Sequence, residues 1–349
     1  ASAFDSAGQR CSALRLLCVQ DDIAERVLAL LDGAMAELKL GPGDDFATDV
    51  GPLIDATARL RIDAYIDAMR ANRHYVFTRS LPDACAGGHF VAPTLIEIAS
   101  PVELRQEVFG PVLHVVRYGA RDLDAVIAAI AASGYGLTLG IQSRVDETIT
   151  RIVSQVRVGN IYINRNMIGA VVGVQPFGGE GLSGTGPKAG GPLLLHRLVR
   201  GAPVPLADQP RPARSVFDQF DAWLADGAAA LVDEAARTRL RACLAVYRQA
   251  SLAGLTMSLN GPTGESNSLS FVPRGAVLGL AGSAEAWLHQ LAAALATGNT
   301  LLLPAGAPAE AWCPQLPAAV QAWVERCPDA PASPCSAVTA VAPPPHRPA

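Results

Sequence analysis

Residues 11–41, CSALRLLCVQDDIAERVLALLDGAMAELKLG, decide how this chain folds. Ala13 to Val19 is a short, mostly apolar run, the length and composition of a buried strand. Asp21 or Asp22 then supplies a helix cap, and Ile23, Val27, Leu30, Leu31, Met35 and Leu38 recur with a period of about 3.6 residues until Gly41 closes the helix. A buried strand feeding directly into an amphipathic helix is the repeating unit of an α/β layer fold, in which helices cover a sheet.

The alternation continues outward to about residue 200. Helical patterns cover about 56–72, with Leu60, Tyr65, Ile66 and Met69, and about 123–133, ending at Gly134; a further one carries Ile149, Ile152, Val153 and Val156 on one face. Strands are predicted over His89–Ile98, Val112–Arg117, Leu137–Gln142 and Gly159–Asn164. Gly201 to Pro212 holds five prolines or glycines in twelve positions, so residues 201–213 read as a linker. Beyond it, helices are predicted over about Val216–Leu231 and Glu234–Ala253. A βαβ unit follows: strand Ala276–Leu280, a helix capped near Ser283 and closed by Gly298, and strand Thr300–Leu303. The expected organisation is therefore a domain over 1–200, a linker, a second α/β domain over 214–340 and an unstructured tail over 341–349.

With 349 residues, 50% of them hydrophobic and 17% charged, the chain can bury the core of about two domains. The net charge of −4, without a basic block, excludes a nucleic-acid role for this segment. Seven cysteines lie singly, without C-x-x-C pairs, and six histidines are equally dispersed, so no disulfide framework and no metal site is legible. That usage suits a reducing, cytoplasmic setting. The uncharged stretch Ala125 to Ile141 is broken by Ser133, Gly134, Gly136 and Thr138 and is too short for a bilayer. Residue 1 is Ala, and no targeting pattern follows it, so the expectation is a segment that starts inside a longer protein.

The chemistry centres on FDSAGQRCSALR, residues 4–15, which sets Cys11 after a glycine-containing turn and before an apolar run. A thiol attacks carbonyls as the thiolate, for which Arg10 is a suggestive neighbour; a free cysteine is more usually a small buried hydrophobe. A Cys–His hydrolase would need an imidazole at Cys11, and His74, His89, His114 and His196 stand in no motif that supplies one. Three more segments bear on the choice: QEVFGPV at 106–112, GNIYINRNMIGAVVGVQPFGG at 159–179 and EGLSGTGPKAGGP at 180–192. Gly179, Gly181 and Gly184 spell G-x-G-x-x-G, but Pro187 is close behind and no helix opens there. Gly181 to Lys188 imitates a P-loop, yet Pro187 precedes the lysine and Ala189 stands where a hydroxyl should bind magnesium. Neither nucleotide motif is accepted.

Taken in this order, the segments make residues 1–200 resemble the catalytic half of the aldehyde dehydrogenase superfamily. Within it, GQRCSALR and IGAVVGVQPFGGEGLSGTGPKAGGP resemble the glutamate-semialdehyde dehydrogenase module of the bifunctional proline utilization family. The resemblance implies an aldehyde-dehydrogenase-like catalytic domain followed by a partial Rossmann-like α/β domain, with Cys11 the nucleophile. By the same resemblance Glu107 and Phe109 contact the nicotinamide end of NAD, Ser12 with the amides of Gly169 and Ala170 grips the carboxylate of a small aldehyde substrate, and Phe177 packs on its stem. FAD is implied only for a proline dehydrogenase part that this sequence does not contain. The resemblance also implies a homo-oligomeric parent, cytoplasmic or peripheral at the inner membrane face. It places the rest of the cofactor half, the oxyanion asparagine and the water-activating glutamate N-terminal to the cysteine, so the 349 residues alone are expected to be inactive. The second domain is implied to be a non-catalytic cover, and Cys313, Cys327 and Cys335 are expected to be inert in irregular, proline-rich surroundings. The alternatives are a non-catalytic scaffold or lid, or an aldehyde dehydrogenase of other substrate range.

Overall fold

The computed structural model describes residues 1–200 and 215–327; the expected linker at 201–213, the tail at 341–349 and Cys335 lie outside the described residues. The chain divides into two compact units, Ala1–Arg197 and the part from Leu198 onward.

The first unit runs β1 (Leu16–Gln20), α1 (Asp21–Ala36), α2 (Ala56–Ala71), β2 (Tyr75–Thr78), β3 (Thr94–Glu97), β4 (Val112–Tyr118), α3 (Leu123–Ala132), β5 (Tyr135–Gly136), β6 (Thr138–Ile141), α4 (Asp146–Gln155), β7 (Asn160–Ile163) and β8 (Glu180–Gly181). Four strands form one sheet in the order β1-β4-β3-β2. The β1–β4 and β3–β4 pairs are parallel, with Leu16 opposite His114 and Thr94 opposite Val112, and β2 joins antiparallel. Val112, Leu113, Val115 and Val116 are each no more than 2% exposed, so β4 is covered on both faces and, apart from the buried His114, is apolar from 112 to 116. Two smaller pairings complete the unit, β6 with β7 parallel around α4, and β5 with β8 antiparallel.

The local elements differ from expectation where tertiary contacts intervene. The α1 helix ends at Ala36, short of Gly41. Residues 39–41 are instead drawn against 49–50: the Lys39 carbonyl accepts from the Asp49 and Val50 amides at 2.8 and 3.1 Å, and Leu40 bridges Val50. Asp21 and Asp22 lie in the first turn of α1 rather than at its cap, Gln20, where their charge still complements the helix dipole. Asp55 does cap α2, its Oδ1 accepting from the Ala58 amide at 2.7 Å. The strand expected over 89–98 shortens to Thr94–Glu97, since Pro93 offers no donor for the ladder. The edge strand β2 was not anticipated; four residues are too few to show a period.

The second unit runs α5 (Ser215–Asp226), α6 (Glu234–Ala250), β9 (Thr256–Leu259), β10 (Asn267–Ser270), β11 (Ala276–Leu278), α7 (Ala284–Ala296), β12 (Thr300–Pro304), α8 (Ala318–Gln321) and β13 (Val324–Cys327). The expected βαβ unit is present: β11 and β12 pair in parallel across α7, whose cap Ser283 accepts from the Ala286 amide at 3.3 Å. Trp287, Leu288 and Leu291 are fully buried, so α7 is the central helix of this unit. The structure adds β13 beside β12 and a β9–β10 hairpin. The helix expected to reach Leu231 breaks after Asp226 into a short 3-10 turn. Cys327 ends β13, so its surroundings are regular, against expectation. No helix among the described residues is long and apolar enough to cross a membrane.

Candidate active site

Ser6, Ala7 and Gly8 have φ values of 56, 51 and 65°, three successive left-handed residues before the cysteine. That conformation costs a non-glycine residue about 1–2 kcal/mol, so the loop persists only because its neighbours hold it. Gln9 supplies one anchor: its Oε1 accepts from the Ile54 amide at 2.9 Å and its Nε2 donates to the Pro52 carbonyl at 3.3 Å. Arg10 Nε donates to Ser6 Oγ at 2.9 Å, so the arginine next to the cysteine is occupied within the loop. The Ala13 amide donates to the Arg10 carbonyl at 3.0 Å, closing a turn with Cys11 at its corner, exposed. The Cys11 N–H has no intramolecular acceptor among the described residues. Ser12, next in sequence, is buried, 6% exposed.

Arg15 organises this site, although the sequence reading passes over it. Its Nη2 donates to the Arg10 carbonyl and its Nη1 to the Gly110 carbonyl, both at 3.1 Å. The same guanidinium lies 3.7 Å from Glu107 Oε1 and 4.8 Å from the centre of the Phe109 ring. Burial pushes its pKa down, and the charges of Glu107 and Cys11 push it back up. The resemblance-based pair Glu107 and Phe109 is thereby brought to the nucleophile loop by the residue that closes the GQRCSALR motif, a single charge at the start of an apolar strand.

Beneath Arg15 lies a buried polar chain. The Arg15 carbonyl accepts from the His114 Nδ1–H at 3.0 Å, which leaves His114 Nε2 to accept from the Tyr65 hydroxyl at 2.8 Å. His114 is fully buried and neutral-favouring, its pKa lowered chiefly by desolvation, so it is not available to Cys11 as a base. A cleft of about 1300 Å³ opens beside the loop, lined among others by Gln9, Leu53, Ile54, Tyr65, Glu107 and Phe109.

The small-residue loop lies at the end of β7. The Ser2 hydroxyl accepts from the Met167 amide at 3.3 Å, and Thr138 Oγ1 donates to the Ser12 carbonyl at 3.5 Å, so the N-terminal segment is tied to its base. Gly169 has φ +77°, and the amides of Gly169 and Ala170 have no intramolecular acceptor among the described residues. Phe177 is half-buried, its backbone paired with Ala189 at 2.9 and 2.7 Å. The lysine of the rejected P-loop pattern is a structural tie. Lys188 Nζ donates to the carbonyls of Gly159 and Gly178, the latter at 2.6 Å, and no helix opens after Gly184. No cluster of metal-ligating side chains is found among the described residues.

Comparison with known proteins gives this geometry a family. Residues 1–200 match the aldehyde dehydrogenase family. Bifunctional protein PutA of Escherichia coli is 50% identical over 332 residues, covering 92% of this chain and 25% of that protein. A 1-pyrroline-5-carboxylate dehydrogenase of Geobacillus kaustophilus is 36% identical over 204 residues, covering 57% of this chain and 39% of that protein. A crystal structure of Bradyrhizobium japonicum proline utilization A superposes with a TM-score of 0.54 at 57% identity, over 56% of this chain and 20% of the other. The chain spans about a quarter of the length of the PutA proteins it matches. Across that span it is homologous to their C-terminal dehydrogenase part. With the family match covering more than half of its residues, the chain belongs to the aldehyde dehydrogenase family.

Proposed function

We propose that residues 1–200 carry the nucleophile, with part of the substrate and cofactor contacts, of an NAD-dependent dehydrogenase that oxidises L-glutamate γ-semialdehyde to L-glutamate. On this reading they belong to a longer, homo-oligomeric bifunctional protein of proline catabolism, whose separate proline dehydrogenase part uses FAD. Homology to proteins named PutA and 1-pyrroline-5-carboxylate dehydrogenase supports the substrate class. The observation that carries the chemistry is the exposed Cys11 on a strained turn, tied through Arg15 to Glu107 and Phe109.

The residues present fit a nicotinamide riboside. Glu107 offers a partly exposed carboxylate for ribose hydroxyls and Phe109, 42% exposed, a flat apolar face, both on the rim of the cleft. Bound NAD supplies the two-electron acceptor that takes the aldehyde hydrogen as hydride. Cys11 Sγ, as thiolate, adds to the aldehyde carbon, and the carbonyl π pair moves to oxygen, giving a thiohemiacetal. The free Cys11 amide donates to that oxygen, where charge develops. Loss of hydride re-forms the carbonyl as a thioester on Cys11, which water cleaves to release the carboxylate and return the thiolate. The free amides of Gly169 and Ala170, with the Ser12 hydroxyl, hold the substrate's remote carboxylate, and Phe177 packs on its stem; short side chains let the amides approach an anion.

The 349 residues alone turn over no aldehyde on this reading, and residues 214–340 are a non-catalytic cover. In keeping with that, burial pushes the Cys313 thiol up, away from nucleophilic use. The test is NADH formation from glutamate semialdehyde by the full-length protein. Cys11→Ala should abolish it, and Glu107→Gln should raise the KM for NAD with a smaller change in the KM for aldehyde. Retention of activity by Cys11→Ala refutes the assignment.

A further inference from the structure

We propose that Arg15 is a positioning residue that locks the nucleophile loop and the cofactor-facing loop into one geometry, so that the cysteine and the cofactor contacts are set together rather than independently. The inference rests on the functional reading above and adds to it the element that aligns the two halves of the site. Arg15 directly precedes β1, and its carbonyl accepts from both the backbone amide and the ring of His114 on β4, at 2.9 and 3.0 Å. Its Cα is therefore anchored where β1 and β4 pair, between the loops that lead into them. The side chain, 12% exposed, then spans both loops with one fork, Nη2 on the Arg10 carbonyl next to Cys11 and Nη1 on the Gly110 carbonyl next to Phe109.

Three features favour alignment over simple stabilisation. The Glu107 contact, at 3.7 Å on a carboxylate 43% exposed, is a pair of the kind that contributes little to folding, yet it orients a group that faces the cleft. The guanidinium also lies against the Phe109 ring, so both cofactor-facing side chains rest on it. Finally, the Arg10 and Gly110 carbonyls it bridges are 100 residues apart in sequence, on loops whose backbones also touch at Gly8 and Gly110. Planar, forked donors in fixed relation make this possible for arginine; the single ammonium of lysine keeps the charge but cannot reproduce the fork.

The test uses full-length protein carrying Arg15→Lys, with Arg15→Met as a second variant. Three quantities are read: kcat for semialdehyde oxidation, the Kd for NADH measured without turnover in a Cys11→Ala background, and the unfolding temperature. Displacement of a reacting group by about 1 Å lowers rates by about 100-fold. Arg15→Lys is accordingly expected to lower kcat by about that factor and to raise the NADH Kd by about tenfold, with the protein folded at the assay temperature. Arg15→Met should do both more strongly. Wild-type kcat and Kd in Arg15→Lys overturn the proposal, whatever the unfolding temperature, as does a change in only one of the two. If the wild type oxidises the aldehyde, Cys11→Ala does not, and Arg15→Lys behaves as wild type, only the positioning role fails. A wild type that neither oxidises the aldehyde nor binds NADH removes the functional reading and this inference with it.

Discussion

Gly8 and Gly110 meet so closely that a Cβ on Gly8 would lie 2.1 Å from the Gly110 carbonyl oxygen and 2.6 Å from its carbon. Both opposing atoms are backbone, so nothing flexible can yield, and Gly8 also has φ +65°. The nucleophile turn can therefore approach the Glu107–Gly110 loop this closely only because Gly8 carries no side chain; an added Cβ on Gly110 would meet the Ile62 side chain instead, at 2.9 Å.

Gly8→Ala is expected to destabilise the first unit by about 3 kcal/mol or more, a fall of roughly 6–12 °C in Tm for a domain of this size. Gly169→Ala is the control. Gly169 also has positive φ, but nothing lies within 4 Å of its added Cβ, so its cost should be about 1 kcal/mol. Thermal unfolding of both variants checks the contrast; equal losses would mean that the backbone contact is not what distinguishes Gly8.

His114 makes stability depend on pH. Its pKa is lowered from an ordinary 6.5, first by desolvation, so below about that pH the unfolded chain takes up a proton that the native state resists. The unfolded state then binds more protons, and stability falls as pH drops, by at most about 1.4 kcal/mol per pH unit for one proton. Above pH 7 both states are neutral at this site and the effect vanishes. Urea midpoints at pH 7.5 and 5.5 should show this loss in the wild type and a smaller one in His114→Gln. An identical slope in the variant would remove His114 as its source.

The cysteines should differ sharply towards iodoacetamide. Burial pushes the Cys18 thiol up to about 11, leaving about one part in a thousand ionised at pH 8, and Cys85 is 2% exposed. Cys11 is exposed at its turn, so mass spectrometry should find it alkylated at least about tenfold faster than either. Labelling of Cys11 no faster than Cys18 would favour a non-catalytic scaffold.

Lys188 carries a half-buried ammonium, its pKa lowered by desolvation, that gathers the Gly159 and Gly178 carbonyls and, at 3.4 Å, Asn160 Oδ1. Asn160 in turn donates to the Pro176 carbonyl at 2.8 Å, next to Phe177. Lys188→Met keeps the stem but strands the acceptors, at an expected cost of about 2–3 kcal/mol. If Phe177 lines the aldehyde site, the variant should also raise the KM for semialdehyde while leaving NADH binding unchanged. Chemical denaturation and steady-state kinetics check the two effects separately.

Most regular elements near the site were legible because their signals are local. The apolar period of α2 and the run of β4 each lie within a short window. The end of α1 was not, because its stop comes from Asp49 and Val50 binding Lys39 rather than from Gly41. The short strands β2 and β13 were missed for a similar reason: four residues show no period, and their pairing partners lie elsewhere in the chain. In the site, Cys11, Glu107 and Phe109 were found through motif resemblance; Arg15 closes the same GQRCSALR motif but was given no role, and His114 had no motif to mark it.

By itself the sequence determined the α/β alternation, the two-part organisation and the family, since periodicity, caps and short motifs are properties of neighbouring residues. Tertiary structure alone decided what surrounds the thiol. Which arginine faces it, which glycines touch and which histidine is sealed beneath all follow from the parallel register of β1 on β4, which sets Leu16 opposite His114 across a gap that no local window spans.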